Sequence, residues 1–116
     1  MKLKYFSMDE FDCQVTEENR MEEDFLKKLD RLREGCGFPF VVTSGYRHPV
    51  KHPIEAAKEV PGTHAQGIAA DIQITNANER YKFISEALSI GFAGIGIAKT
   101  FVHVDTRGTT PVMWLY

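Results

Sequence analysis

The chain of 116 residues is long enough for one domain, expected over residues 1–116, with one hydrophobic core. It is 43% hydrophobic and 26% charged, and its net charge of −2 argues against a general attraction to nucleic acid or to anionic membranes. No apolar run reaches the roughly 18–20 residues that span a bilayer, so we expect no membrane insertion.

Residues 16–34 predict an amphipathic helix. Asn19 followed by Glu22 is the arrangement of a helix N-cap with a carboxylate three residues later, and Gly35 is the expected stop. Apolar side chains recur at steps of three and four positions, at Met21, Phe25, Leu29 and Leu32. The charged face between them is interpreted as solvated surface without chemistry.

A buried strand is predicted next, from Phe38 to Ser44, and a polar loop follows over residues 48–62. Loops of this length in a small domain are usually functional or disordered, and Pro53 is suited to begin a single helical turn within it. Cys13 and Cys36 are the only cysteines. The reduced state is favoured for a pair in a cytoplasm, and a disulfide stays open as the alternative.

The segment from Gly62 to Asp71 is the most informative part of the chain. It places His64 and Asp71 seven residues apart, with Gly67 between them to allow a sharp turn. Ala70, Ile72 and Ile74 then alternate with polar residues, which predicts a strand from which Asp71 projects. An imidazole and a carboxylate converging across such a turn suit Zn²⁺. The alternative is a loop histidine and a surface aspartate that never meet.

A second helix is predicted from Asn76 to Ile90, with Asn76 as its cap and Gly91 as its end. Its expected apolar stripe consists of Tyr81, Ile84, Ala87 and Leu88. Three short strands follow, over residues 94–98, 101–105 and 112–116, and their close spacing favours antiparallel hairpins. The fold class is therefore α+β, an antiparallel sheet with two main helices.

Strand 101–105 places the side chains of Phe101, His103 and Asp105 on one face and two valines on the other. The chain also contains Ser44-Gly-Tyr-Arg47, Thr63-His64-x-x-Gly67-x-Ala69-x-Asp71, His103-Val-Asp105-x-Arg107 and Trp114. In this order, these motifs resemble those of the zinc D-alanyl-D-alanine carboxypeptidase family. That family includes many phage endolysins and shares its fold with hedgehog signalling domains. The resemblance runs roughly from Phe38 to Tyr116.

The resemblance implies a catalytic Zn²⁺ held by His64, Asp71 and His103, with a fourth position left for water. It also implies that Arg47 holds the substrate near the scissile bond, with Ser44 supporting that loop. Trp114 is a further candidate for substrate binding, as a wall of the cleft. A tryptophan that only covers the sheet is the default reading.

The sequence departs from the family pattern at the general base, because Thr100 and Phe101 occupy the positions from which relatives supply it. Asp105 is the nearest candidate, either as this base or as the acceptor of an N–H from a ligand histidine. The two roles stay open. His48, His52 and Glu55 on the long loop are reserve candidates, each with a surface position as the simpler reading.

The resemblance thus implies a zinc peptidase that hydrolyses peptidoglycan stem-peptide bonds involving D-alanine, as a carboxypeptidase or an endopeptidase. The alternative is a non-catalytic, zinc-containing binding or virion-assembly module of the same fold. We expect a monomer without a nucleic-acid partner. No secretory signal is visible, so we expect synthesis in a bacterial cytoplasm and action at the cell wall, by a phage-encoded or virion-associated protein.

Overall fold

The computed structural model describes residues 1–116 as a five-stranded sheet with two long helices. A 3₁₀ turn over Met8–Phe11 precedes the first helix. The helices are α1 (Glu23–Cys36), the single turn α2 (Pro53–Ala56) and α3 (Ala77–Ile90). The strands are β1 (Val42–Ser44), β2 (Ala69–Gln73), β3 (Gly94–Ile97), β4 (Phe101–Asp105) and β5 (Val112–Leu115). None of the helices is both long and apolar enough to cross a membrane.

The sheet has the order β1-β2-β4-β3-β5, and all neighbouring strands are antiparallel except β3 and β5. The α+β class is confirmed, but the expectation of antiparallel hairpins throughout the tail is wrong for β5. Both edges of β4 are already occupied by β2 and β3, so β5 crosses over and takes the free edge of β3 in parallel.

The two faces of the sheet carry different side chains because strand residues alternate. Ala70, Ile72 and Ile74 of the β2 region, with Val102 and Val104 of β4, belong to the hydrophobic core, as predicted. The helices contribute Phe25, Leu26, Leu29 and Leu32 of α1 and Phe83 and Ala87 of α3. The opposite face of the sheet is thereby left for polar side chains.

Helix α1 begins at Glu23 and not at Asn19. The Glu22 N–H donates to the Gly67 carbonyl at 2.9 Å, so the chain before Glu23 runs extended beside the Gly62–Asp71 segment. Asn19 instead accepts the Met21 N–H. The helix also passes Gly35 and ends at Gly37, whose φ of 76° lies in the left-handed region that glycine tolerates. The predicted position of the stop is therefore wrong by two residues.

Two further predictions are corrected. The strand expected from Phe38 is paired only over Val42–Ser44, because Pro39 has no N–H to donate and the phenylalanines around it pack into the core. In α3 the Asn76 cap and the Gly91 end are confirmed, but Tyr81 and Leu88 are exposed. The buried stripe is centred on Phe83 and Ala87. Cys13 and Cys36 are both buried free thiols.

Candidate functional site

The polar face of the sheet brings His64, Asp71 and His103 together. Asp71 of β2 and His103 of β4 are direct partners in the antiparallel ladder, so their side chains emerge side by side. His64 reaches them from the turn before β2, where Gly67 has a φ of 76° and a Cβ would collide with the Arg20 carbonyl. One ligand atom from each of the three residues lies within 4.8 Å of the others.

The hydrogen bonds of the two histidines fix which nitrogen of each ring faces Asp71. His64 Nδ1 lies 2.8 Å from the Gly45 carbonyl oxygen, which can only accept, so this nitrogen carries the proton. His103 Nε2 lies 2.7 Å from Asp105 Oδ2 and donates to that carboxylate. The free nitrogens are therefore His64 Nε2 and His103 Nδ1, at 3.2 and 3.1 Å from Asp71 Oδ1.

This arrangement fits a divalent cation. With both rings neutral, two nitrogen lone pairs and a carboxylate oxygen converge on one point with no proton between them, which is repulsive unless a cation or an extra proton is present. Two imidazole nitrogens and one carboxylate are a donor set that Zn²⁺ accepts, and three protein ligands leave a fourth position. The three residues could therefore hold a zinc ion at the floor of a cleft.

The charges of the cluster stabilise one another strongly. Burial alone would raise the pKa of the Asp71 carboxyl, but its hydrogen bonds with His103 and His64 outweigh burial and hold this pKa well below the usual range. Burial likewise would lower the pKa of His103, and the contacts with Asp105 and Asp71 raise it instead. Without a cation, the cluster thus favours an ionised Asp71 carboxylate beside a protonated His103 imidazole.

Asp105 lies behind His103 and does not line the cleft. Its side chain is fully buried, and both of its oxygens are engaged: Arg107 donates Nε to Oδ1 at 2.9 Å and Nη2 to Oδ2 at 2.7 Å. Burial would raise the pKa of Asp105, but the hydrogen bonds from His103 and Arg107 hold it well below the usual range. These contacts favour the second predicted role, acceptor of the His103 N–H, over that of a general base.

Arg47 lies at the edge of the same cluster. Its Nε donates to Ser44 Oγ at 3.1 Å and its Nη2 to Asp71 Oδ2 at 3.4 Å. Its Nη1 lies 3.8 Å from Glu55 Oε2. Ser44 itself does not line the cleft, so its part in any substrate binding is to orient Arg47.

The cleft above the cluster has a volume of about 590 Å³. Its cationic side chains are Arg47, Lys58 and Arg107, and its aromatic side chains are Phe101, Trp114 and Tyr116. Asp71 is the only carboxylate among the lining residues. A cleft of this kind, on a chain with net negative charge, suits a ligand with an anionic group.

Trp114 forms the far wall of the cleft and is half-buried. Its ring lies 5.1 Å from that of His103, although β3 separates the two strands. The contact is possible because Gly96 of β3 has no side chain, and a Cβ there would lie 2.6 Å from the indole. The Gly94-x-Gly96 alternation in β3 is the feature of the sequence that signals this arrangement.

The three reserve candidates on the long loop do not line the cleft. His48 Nδ1 accepts the N–H groups of Val50 and Lys51, and His52 caps α2 by accepting the Ile54 N–H. Glu55 is buried. Lys58, which does line the cleft, was not predicted, because an isolated lysine in a polar loop carries no distinguishing pattern.

A comparison with models of protein families matches residues 4–105 of the chain to the family described as Peptidase M15. The matched range contains the three converging residues, Arg47 and Asp105, and it ends before β5. A search of curated proteins finds no match to the chain.

Proposed function

The chain belongs to the peptidase M15 family, whose members are metallopeptidases, and we propose that it is a zinc peptidase of bacterial peptidoglycan. The proposed reaction is hydrolysis of a stem-peptide bond involving D-alanine, by a carboxypeptidase or endopeptidase. His64, Asp71 and His103 hold the metal, and Arg47 binds the substrate. The protein would be made in a bacterial cytoplasm and act at the cell wall, as a phage-encoded or virion-associated enzyme.

The observation that carries this proposal is the state of the two histidines. Each has one nitrogen satisfied by a protein acceptor and the other directed at Asp71, which is the geometry expected of ligands oriented by outer hydrogen bonds. The cluster opens onto a cleft and has three protein ligands, whereas structural zinc sites are usually closed by four. Both features support a catalytic site.

The chemistry is divided between the metal and the chain. A zinc ion held there would polarise the scissile carbonyl and acidify the attacking water. Asp105 accepts the hydrogen bond of His103 Nε2–H and thereby leaves His103 Nδ1 free. The Gly45 carbonyl orients His64 in the same way, by accepting the hydrogen bond of Nδ1–H. Arg47 presents its guanidinium beside Asp71, where it can hold a carboxylate or carbonyl oxygen of the substrate.

The cationic lining supports a substrate with a carboxylate near the scissile bond. Arg47, Lys58 and Arg107 all line the cleft, and Arg47 and Arg107 are held by ion pairs, with Asp71 and with Asp105. Stem peptides of peptidoglycan carry such carboxylates. The aromatic wall of Trp114 and Tyr116 offers a flat surface for the uncharged part of the peptide.

A second candidate function has one observation in its favour. Asp71 is the only carboxylate that lines the cleft, and Asp105 is fully engaged, so no free side-chain base faces the metal position. A zinc-containing binding or virion-assembly module would need none. Such a module would bind zinc and cell-wall fragments and hydrolyse neither glycan-linked nor free peptides.

The first experiment is the zinc content of the purified protein beside His103→Ala, by elemental analysis. We expect close to one zinc per chain in the wild type and loss of most of it in the variant. His48→Asn is the matched control, because asparagine can accept the same two loop N–H groups and the position lies outside the cleft. A wild type that takes up no zinc would overturn the proposal.

Digestion of purified peptidoglycan then separates the two functions. Release of D-alanine indicates a carboxypeptidase, and release of cleaved cross-links or stem peptides indicates an endopeptidase. His64→Ala is expected to abolish either product, while His48→Asn retains it. Zinc binding without any product would favour the binding module.

A further inference from the structure

Glu55 is a buried carboxylate that the proposed reaction does not use. Five polar or charged residues of the chain are buried, and four of them are His64, Asp71, His103 and Asp105. Glu55 is the fifth. It lies on the single turn of α2, within the loop over residues 48–62, where most neighbouring side chains are exposed.

Both oxygens of Glu55 accept hydrogen bonds from its own loop. Oε1 accepts the Gly62 N–H at 2.9 Å, and Oε2 accepts Lys58 Nζ at 2.8 Å. Burial would raise the pKa of this carboxyl, but the bonds from Lys58 and Gly62 and the charge of Arg47 hold the pKa below its ordinary value. The carboxylate therefore stays charged and ties α2 to the end of the loop.

The same carboxylate faces the substrate-binding arginine. Glu55 Oε2 lies 3.8 Å from Arg47 Nη1, and only 15% of the Arg47 side chain is exposed. The other two anchors of Arg47 come from the sheet: Ser44 at the end of β1 and Asp71 in β2. Glu55 is thus the one partner of the Arg47 side chain that the loop supplies. It lies beside Nη1, the nitrogen that neither Ser44 nor Asp71 contacts.

We propose that Glu55 is a positioning residue, which closes the loop over residues 48–62 onto Arg47 and so holds the guanidinium in the orientation that binds substrate. This inference rests on the proposed function of Arg47. Glu55 does not act as a base, because it does not line the cleft and both of its oxygens are occupied.

A role in loop closure alone would not need a charge. A buried carboxylate is costly to desolvate, and an apolar side chain of similar size could close a loop over the same position. What an apolar side chain cannot do is fix the direction of an arginine, whose planar group is oriented by acceptors on each side. The position of Glu55 between Lys58 and Arg47 is therefore better explained by orientation of the cleft cations.

The kinetic test is a double-mutant cycle on the zinc-loaded enzyme with Glu55→Gln, Arg47→Ala and the double variant. Because a misdirected Arg47 weakens ground-state and transition-state binding alike, we expect Glu55→Gln to raise KM about tenfold with kcat nearly unchanged. In the Arg47→Ala background the same change should have no further effect on KM. Equal effects in both backgrounds would overturn the inference.

A second measurement does not depend on hydrolysis. The Arg47 side-chain Nε–H, bonded to Ser44, should give a protected nitrogen–proton signal by NMR in the wild type. Glu55→Gln should speed the exchange of this proton with water. If Glu55→Gln does not fold, Glu55→Asp takes its place, because it keeps the charge but withdraws it from Arg47, and it should have the same effect. Glu59→Gln is the control, as an exposed glutamate of the same loop.

The two measurements separate the two proposals. If the wild type hydrolyses nothing but the Arg47 signal is lost in Glu55→Gln, the positioning role stands and the proposed activity fails. If the wild type is active and the Arg47 signal is unchanged in Glu55→Gln, the positioning role is wrong and the activity stands.

Discussion

The two sides of the cleft are held by different kinds of structure. On the sheet side, Asp71 and His103 are paired across the β2–β4 ladder, directly above the core residues Ile72 and Val104. On the loop side, Arg47 and Lys58 meet around one buried carboxylate, Glu55, on a helix of a single turn. The positions of Asp71 and His103 are thus fixed by backbone pairing that unfolds only with the core, whereas the positions of Arg47 and Lys58 depend on a few side-chain contacts.

The strongest test of the sheet side is Asp105→Asn. As an outer hydrogen-bond partner of a ligand histidine, Asp105 should contribute about 10- to 100-fold to zinc affinity. The amide accepts the His103 N–H less strongly and no longer pairs with Arg107. We expect zinc affinity to fall by this factor, measured by competition with a chelator of known affinity.

The same variant separates the two roles predicted for Asp105. If Asp105 is the general base, Asp105→Asn should lower kcat while zinc affinity stays at the wild-type value. That outcome would contradict the role of Asp105 as acceptor of the His103 N–H. Asp24→Asn is the control, because Asp24 is exposed in the first turn of α1 and does not line the cleft.

The far wall of the cleft is tested by Gly96→Ala. The new Cβ would lie 2.6 Å from the Trp114 indole, so the ring must leave His103 or the strands must separate. Overpacking of this kind costs about 1–3 kcal/mol, which we expect as a lower free energy of unfolding in urea. Since Trp114 is the only tryptophan, its fluorescence should shift in the folded state as well.

Gly108→Ala is the matched control for this change, because apart from Gly108 and its two chain neighbours no residue has an atom within 4 Å of the position of the new Cβ. We expect its stability and fluorescence to match those of the wild type. If Gly96→Ala matches Gly108→Ala in free energy of unfolding and in fluorescence, Trp114 moves aside at no energetic cost. Its contact with His103 then does not stabilise the cleft.

The sheet side was largely predictable from the sequence and the loop side was not. Alternation in residues 70–75 and 101–105 placed Asp71 and His103 on the polar face, because strand geometry is a local property. From the sequence, Glu55 was predicted only as a reserve base, and its contacts with Arg47 and Lys58 join residues that have no shared periodicity. Side-chain contacts across an irregular loop follow from the folded path of the chain alone.

Errors in the predicted elements have the same origin. The start of α1 was misplaced because the Glu22 N–H pairs with Gly67, a distant residue that fixes the preceding chain in an extended form. The partner of β5 was misassigned because it depends on which strand edges are already occupied. In both cases local propensity competed with a long-range contact, and the contact prevailed.

The smallest expected effect lies on the loop side, in the pH dependence of Glu55. The folded state holds the Glu55 pKa below its ordinary value of 4.5, so the stabilisation from its contacts is fully present above that pH. It is lost as the pH falls through the lower pKa of the folded state. Wild type should therefore exceed Glu55→Gln in free energy of unfolding by about 1–2 kcal/mol at pH 7, with the difference shrinking below pH 4.5.

Urea unfolding of wild type, Glu55→Gln and the control Glu59→Gln at a series of pH values from 7 to 3 measures this difference directly. Other carboxylates titrate in all three proteins and cancel in the comparison, so the remaining pH dependence belongs to Glu55. A difference that stays constant down to pH 3 would mean that Glu55 stabilises the loop by its shape and not by its charge. The orientation of Arg47 would then have to come from Ser44 and Asp71 alone, and both sides of the cleft would be fixed by the sheet.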